Sequence, residues 1–141
     1  MSLRQIIYTS HALVPMEQDE LVDLLEQSRR DNAAAGITGL LLHADRSFMQ
    51  TIEGAPAAIE ALYAKIRRDP RHSGLILICD EPVAQRSYGD WSMAFREIAR
   101  HEAAQIAGFR REQADISPAD RDLARKLMHT FFHNAGLTRR G

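Results

Sequence analysis

Three polar residues stand where an apolar core would not place them. Tyr8, in "RQIIYTS", alternates onto the same side as Ile6. Gln50, in "SFMQTIE", falls between Phe48 and Ile52 on one face of an extended run. Asn32 lies where the first helical pattern ends. Buried hydroxyls and carboxamides require hydrogen-bonding partners, and an apolar ligand with a polar edge would provide them. Singly, each has a plainer explanation. Tyr8 would be a core-edge residue with its hydroxyl in water, Gln50 would bond an edge of the sheet, and Asn32 would cap a helix or occupy a turn.

Other constellations carry less. His129 and His133 sit four apart, a spacing that can place two ligands on one metal. The intervening "TFF" lacks the glutamate of a metalloprotease helix, and the pair falls roughly opposite Leu127 and Phe131, as a solvated face would. No metal is therefore expected. There is no P-loop, no G-x-G-x-x-G, no CxxC and no nucleophile motif. "SFMQTIE" is also a poor match to the stacking strand of an RNA-binding sheet.

The chain of 141 residues suits one domain, and a net charge of −1 offers no electrostatic case for nucleic acid or an anionic membrane. No signal-peptide core or membrane-length apolar run is visible, so a soluble, cytoplasmic protein is expected. Its single cysteine, Cys79, lies in "GLILIC" and reads as a small hydrophobe in a buried strand.

The elements that must position these residues follow from periodicity. "RQIIYTS" is a first strand, and 17–31 place Leu21, Leu24, Leu25 and Ser28 at helical spacing. "GITGLLLHA" and "SFMQTIE" form a hairpin turning near Asp45 and Arg46. A second helix opens at Pro56, buries Ile59, Leu62, Tyr63 and Ile66, and ends at Pro70. "GLILICDEP" is a fourth strand, and "YGDWSMAFREI" a fifth that would put Trp91, Met93 and Phe95 on one side. The order β-α-β-β-α-β-β specifies an α+β, ferredoxin-like sheet with two helices on one face. "GLLL" and "LILIC" are continuously apolar, so the other face needs cover as well. A C-terminal helical cap supplies it: a short helical segment after residue 99, then a firmer helix with Ser117 as N-cap, a stripe of Leu123, Leu127 and Phe131 flanked by Ala124, Met128 and Phe132, and Gly136 at its end. Residues 1–98 are thus the sheet domain and 99–141 the cap.

With those residues in place, the chain resembles the BLUF family, the flavin-binding blue-light sensors, over residues 2 to about 98. The resemblance rests on "IIYTS" with Tyr8, "RRDNAAAGITGLL" with Asn32, "FMQTIEG" with Gln50, "DPRH" with Asp69 and His72, and "YGDWSMAF" with Trp91 and Met93. All five occur in the family's order with no gap needed between them.

The resemblance implies a flavin held noncovalently between the two helices, FAD as a rule, with FMN or riboflavin as substitutes. It makes Tyr8 an electron and proton donor to the light-excited ring and Gln50 the relay whose rotation or tautomerisation rewires the hydrogen bonds. Asn32 would meet the ring's O4 and N3–H, Asp69 and Lys65 would border its O2 side, and His72 would be a further flavin-binding residue. Leu24, Leu25, Ser28 and Ile66 would line the ring pocket, while Arg30, Lys65 and Arg68 would meet phosphates. Asp31 takes the place of a second polar ligand, although an ionised acid beside a flavin carbonyl is unfavourable. Trp91 and Met93 would carry the signal outward, and which of them faces the flavin is open. No effector enzyme is visible, so the implied output is through an unidentified partner protein or within a homo-oligomer. The alternative is a non-photoactive ferredoxin-like binding domain or small enzyme.

Overall fold

The computed structural model describes residues 2–13, 16–44, 46–89, 91–99 and 117–133. Strand β1 (Leu3–Ala12) leads into helix α1 (Gln18–Ala35), then strands β2 (Thr38–Ala44) and β3 (Ser47–Gly54). Helix α2 (Pro56–Arg68), strands β4 (His72–Val83) and β5 (Ala94–Glu97) and helix α3 (Pro118–His133) complete the order. The strands lie side by side as β4-β1-β3-β2-β5, with β5 parallel to β2 and the other pairs antiparallel. This is the expected α+β ferredoxin-like fold with one added strand.

Local signals explain the boundaries. Glu17 and Glu20 form a capping box at the start of α1, and Gly36 ends it with φ of 70°, where a side chain would be strained. Pro56 opens α2 at a position whose N–H would be unpaired in any case. The short hairpin between β2 and β3 includes Arg46, while Asp45 lies outside the described residues.

Every residue of β2 and β3 is buried, because helices cover both faces of the sheet. Ile6, Leu41, Phe48 and Ile52 pack with Leu21, Leu25 and Ile59 beneath α1 and α2. Ile7, Leu40, Leu42, Met49 and Ile78 pack with Ala124 and Met128 of α3 on the opposite face. A bulge in β4 sets Cys79 opposite Ile7 and Leu77 opposite Tyr8, so Ile78 and Cys79 both face α3.

Three expectations need correction. The fifth strand is only Ala94–Glu97: Gly89 has φ of 59°, Trp91 N–H closes a turn on Tyr88 O at 3.1 Å, and the chain bends at Ser92 and Met93. Alternation therefore fails there, and Trp91 and Met93 do not share a face. The stripe of α3 is rotated, with Ala124 and Met128 fully buried and Leu123 44% exposed. A small residue at the contact lets the helix backbone approach the sheet, which a leucine at that point would prevent. Finally, the buried stripe of α1 is Leu21, Leu25, Arg29 and Asn32, so the helix continues past its expected end and Asn32 is neither a C-cap nor a turn residue. The short helical segment expected after residue 99, Gly136 and the Phe131 side chain fall outside what the structure describes.

Candidate functional site

β1 and β3 run antiparallel with Tyr8 directly opposite Gln50, so both side chains rise from the same face of the sheet. The Tyr8 hydroxyl donates to Gln50 Oε1. The other end of the same carboxamide, Nε2, points to Met93 Sδ at 3.3 Å. A thioether is a weak acceptor, so this donor has capacity for a better one. Burial pushes the Tyr8 phenol well above its ordinary pKa, and Tyr63 and Asp69 push in the same direction. Tyr8 is a neutral donor here.

Above this pair, α1 and α2 leave a cavity of about 180 Å³. Of the residues expected from sequence, Tyr8, Leu24, Ser28, Asp31, Asn32, Gln50, Lys65, Ile66, Asp69 and His72 line it. Leu25, Arg30 and Arg68 are not among the lining residues: Leu25 packs in the apolar layer beneath, and Arg30 and Arg68 are exposed. Trp91 lies on the α3 face, and Met93 touches Gln50 from behind the cavity wall. Seven lining residues escaped the sequence reading: Ser10, Met16, Gln27, Leu41, Phe48, Leu62 and Arg71. Strand alternation from Tyr8 and Gln50 would have found Ser10 and Phe48 as lining residues, and helical spacing from Leu24 and Asp31 would have found Gln27. Met16 and Arg71 sit in connections that have no period to read.

At the mouth, Lys65 Nζ lies 3.9 Å from Asp31 Oδ2, tying α2 to α1. The Arg71 guanidinium beside Asp69 holds that carboxyl below the usual carboxylate range. Asn32 uses one amide hydrogen on Ser92 O at 2.8 Å, and a carboxamide retains a second donor hydrogen and its acceptor oxygen. His72 Nε2 is 2.8 Å from Ile66 O, which can only accept, so Nε2 carries a hydrogen and Nδ1 is the ring's other nitrogen. That Nδ1 is buried and has no hydrogen-bond partner. A planar ligand with an apolar body and an edge of alternating donors and acceptors suits these walls, and the flavin ring is such a ligand.

Among the described residues no cluster of His, Cys, Asp or Glu is arranged to hold a metal ion. His129 and His133 are exposed neighbours, their Nε2 atoms 3.2 Å apart. No helix of the described residues is long and apolar enough to cross a membrane.

The family model described as "Sensors of blue-light using FAD" matches residues 3–94. Photoactivated adenylate cyclase subunit beta of Euglena longa is 37% identical over 93 residues, 65% of this chain and 11% of that protein. The blue light- and temperature-regulated antirepressor BluF of Escherichia coli K12 is 29% identical over 105 residues, 74% of this chain and 26% of that protein. The chain spans about a tenth of the length of the cyclase relatives it matches. The solved dark-state structure of BlrB, a BLUF protein, is 32% identical with a TM-score of 0.71, covering 92% of this chain and 97% of that one. Matching pattern, matching fold and a cavity walled by the pattern's own residues agree, and the chain belongs to the BLUF family of flavin-binding blue-light sensors.

Proposed function

We propose that this protein is a photosensor that holds FAD, or FMN or riboflavin in its place, noncovalently between α1 and α2 and switches through Tyr8 and Gln50. The observation that carries this reading is the buried Tyr8–Gln50 hydrogen bond in the cavity wall. A bound flavin supplies light absorption and, once excited, an oxidant strong enough to take an electron from a phenol. Tyr8 is placed to give that electron, because its phenol is neutral and becomes strongly acidic on losing one. Its proton would pass to Gln50 Oε1, the atom it already bonds, while one from Nε2 would go to the reduced ring, so that the carboxamide keeps no net charge. Gln50 rotates or tautomerises in response, exchanging a donor for an acceptor of nearly equal shape. Asn32, Asp69 and His72 orient the ring edge, while Lys65 and Arg71 at the mouth supply positive charge for phosphates.

Residues 1–98 act as the sensor and 99–141 as its output. Gln50 touches Met93 on one face, while Trp91 two residues earlier stands against Phe132 of α3 on the other, with ring centroids 5.9 Å apart. A light-dependent surface on this cap would engage an effector protein or a second copy of the chain in the cytoplasm, and the chain works as a signal source, not a catalyst. The test is an absorption spectrum in darkness and directly after blue light. A flavin spectrum that moves slightly red, returns in the dark, and fails to move in Tyr8→Phe or Gln50→Leu supports the switch. A bound flavin whose spectrum ignores light overturns it and leaves a flavin-binding domain.

A further inference from the structure

Arg29 continues the buried stripe of α1 after Leu21 and Leu25 and is only 8% exposed. Its Nε donates to Met93 O at 2.9 Å. One turn later on the same helix face, Asn32 Nδ2 donates to Ser92 O at 2.8 Å. Successive carbonyls of an extended strand point in opposite directions, so one helix cannot reach both unless the backbone bends. The chain bends at Ser92 and Met93, which is where β5 was expected to continue and does not.

We infer that Arg29 is a positioning residue that, together with Asn32, clamps these two carbonyls and so decides that Met93, and not Trp91, lies against Gln50. The proposal deepens the light-switch reading and rests on it. The two halves of the clamp differ in kind. Asn32 lines the cavity and shares its carboxamide with whatever binds there, so its grip on Ser92 changes with the ligand's hydrogen bonds. Arg29 does not line the cavity and keeps its charge throughout, so its grip on Met93 is the constant one. A charged donor to a backbone carbonyl in a dry site makes one of the stronger hydrogen bonds available to a side chain. After Gln50 turns its donor away from the sulfur, Arg29 still holds Met93 in place and preserves the arrangement to which Gln50 returns.

The test uses the full chain with flavin bound and exploits Trp91 being the only tryptophan. In Arg29→Met the red shift forms, since Tyr8 and Gln50 are untouched. Its dark recovery slows about tenfold, the weight of one charge-assisted hydrogen bond. Trp91 emission in the dark falls, because the released segment lets the indole approach the flavin. Arg29→Lys, a single-point donor, gives intermediate values, and it carries the test by itself where Arg29→Met does not fold. Arg4→Met, which removes ion pairs to Asp80 and Glu60 elsewhere on the protein, leaves both readouts unchanged and separates the clamp from general loss of an arginine. Recovery within about twofold of the parent, with unchanged Trp91 emission, overturns the proposal. A parent protein that ignores light overturns the switch instead, and the dark Trp91 emission of the Arg29 variants then still decides whether the clamp exists.

Discussion

Met93 and Trp91, two residues apart, lie on opposite faces of the sheet. The Met93 sulfur accepts from Gln50 Nε2 at 3.3 Å, and the Trp91 ring stands edge-on to Phe132 at 84°. A segment that runs along the sheet edge beside β2 and sends a side chain to each face links the two layers, because displacing one side chain turns the backbone that carries the other. Gly39 N–H holds Trp91 O at 3.1 Å, so the segment is also registered against β2.

Phe132 is where that coupling meets the cap. Its ring packs edge-on against Tyr88 at 5.0 Å as well as Trp91. In Phe132→Ala the light-driven red shift should remain, while any light-dependent change in Trp91 emission disappears. Loss of both ring contacts should lower unfolding stability by about 2 kcal/mol, read from urea denaturation. A retained emission change would place the output path elsewhere.

Tyr8 predicts a pH dependence with a definite sign. Burial raises its pKa above the ordinary phenol value, so folding favours the neutral phenol. The stabilisation from this group is complete below the unfolded pKa and is lost as pH rises through the folded one. A phenol free in water would be half ionised near pH 10, whereas Tyr8 remains a donor there. The red shift should therefore have the same amplitude at pH 8 and at about pH 10. Amplitude halving near pH 10 would mean that Tyr8 is solvated.

Gly39→Ala tests how closely β2 and β3 approach. A Cβ at residue 39 would stand 2.0 Å from Thr51 O, a backbone atom of the neighbouring strand that cannot step aside. The substitution should cost several kcal/mol and release flavin, because Gln50 and Thr51 are adjacent on β3. Soluble Gly39→Ala protein with parental flavin content and parental denaturation midpoint would contradict the geometry.

The first four strands and the faces that Tyr8 and Gln50 take on them were legible because alternation is a local property of an extended chain, whereas the link between the two side chains came from the family resemblance. The bend at 92–93 was not, because its cause lies on α1, some sixty residues away in sequence, where Arg29 and Asn32 take the two carbonyls. Arg29 was illegible for the same reason: an arginine on a helix is exposed by default, and only its partner makes it a buried one. Leu123 misled in the opposite direction. The largest side chains suggested a stripe, but close helix–sheet contact selected Ala124 and Met128 instead.

Glu53 provides the most demanding prediction, because a fully buried carboxylate has no water to fall back on. Gln5 Nε2 and Thr38 Oγ1 donate to it, as do the backbone N–H groups of Ser87 and Tyr88. Arg86 bonds Thr38 Oγ1 and the carbonyls of Gly36 and Glu53, closing the cluster against the end of α1. Glu53 therefore pins the turn that sets Tyr88 beneath Phe132 and leads the chain to Trp91. Glu53→Ala strands those donors without an acceptor and should cost about 3–5 kcal/mol. Glu53→Gln keeps one acceptor oxygen but presents an amide N–H₂ to donors, so it should cost less and still weaken the turn. With flavin bound, Glu53→Gln should keep the red shift, since Gln50 lies on the opposite face, and should raise the hydrogen exchange of the Ser87 and Tyr88 amides. Unchanged exchange at those two amides would show that the carboxylate is a packing element, not the anchor of the output turn.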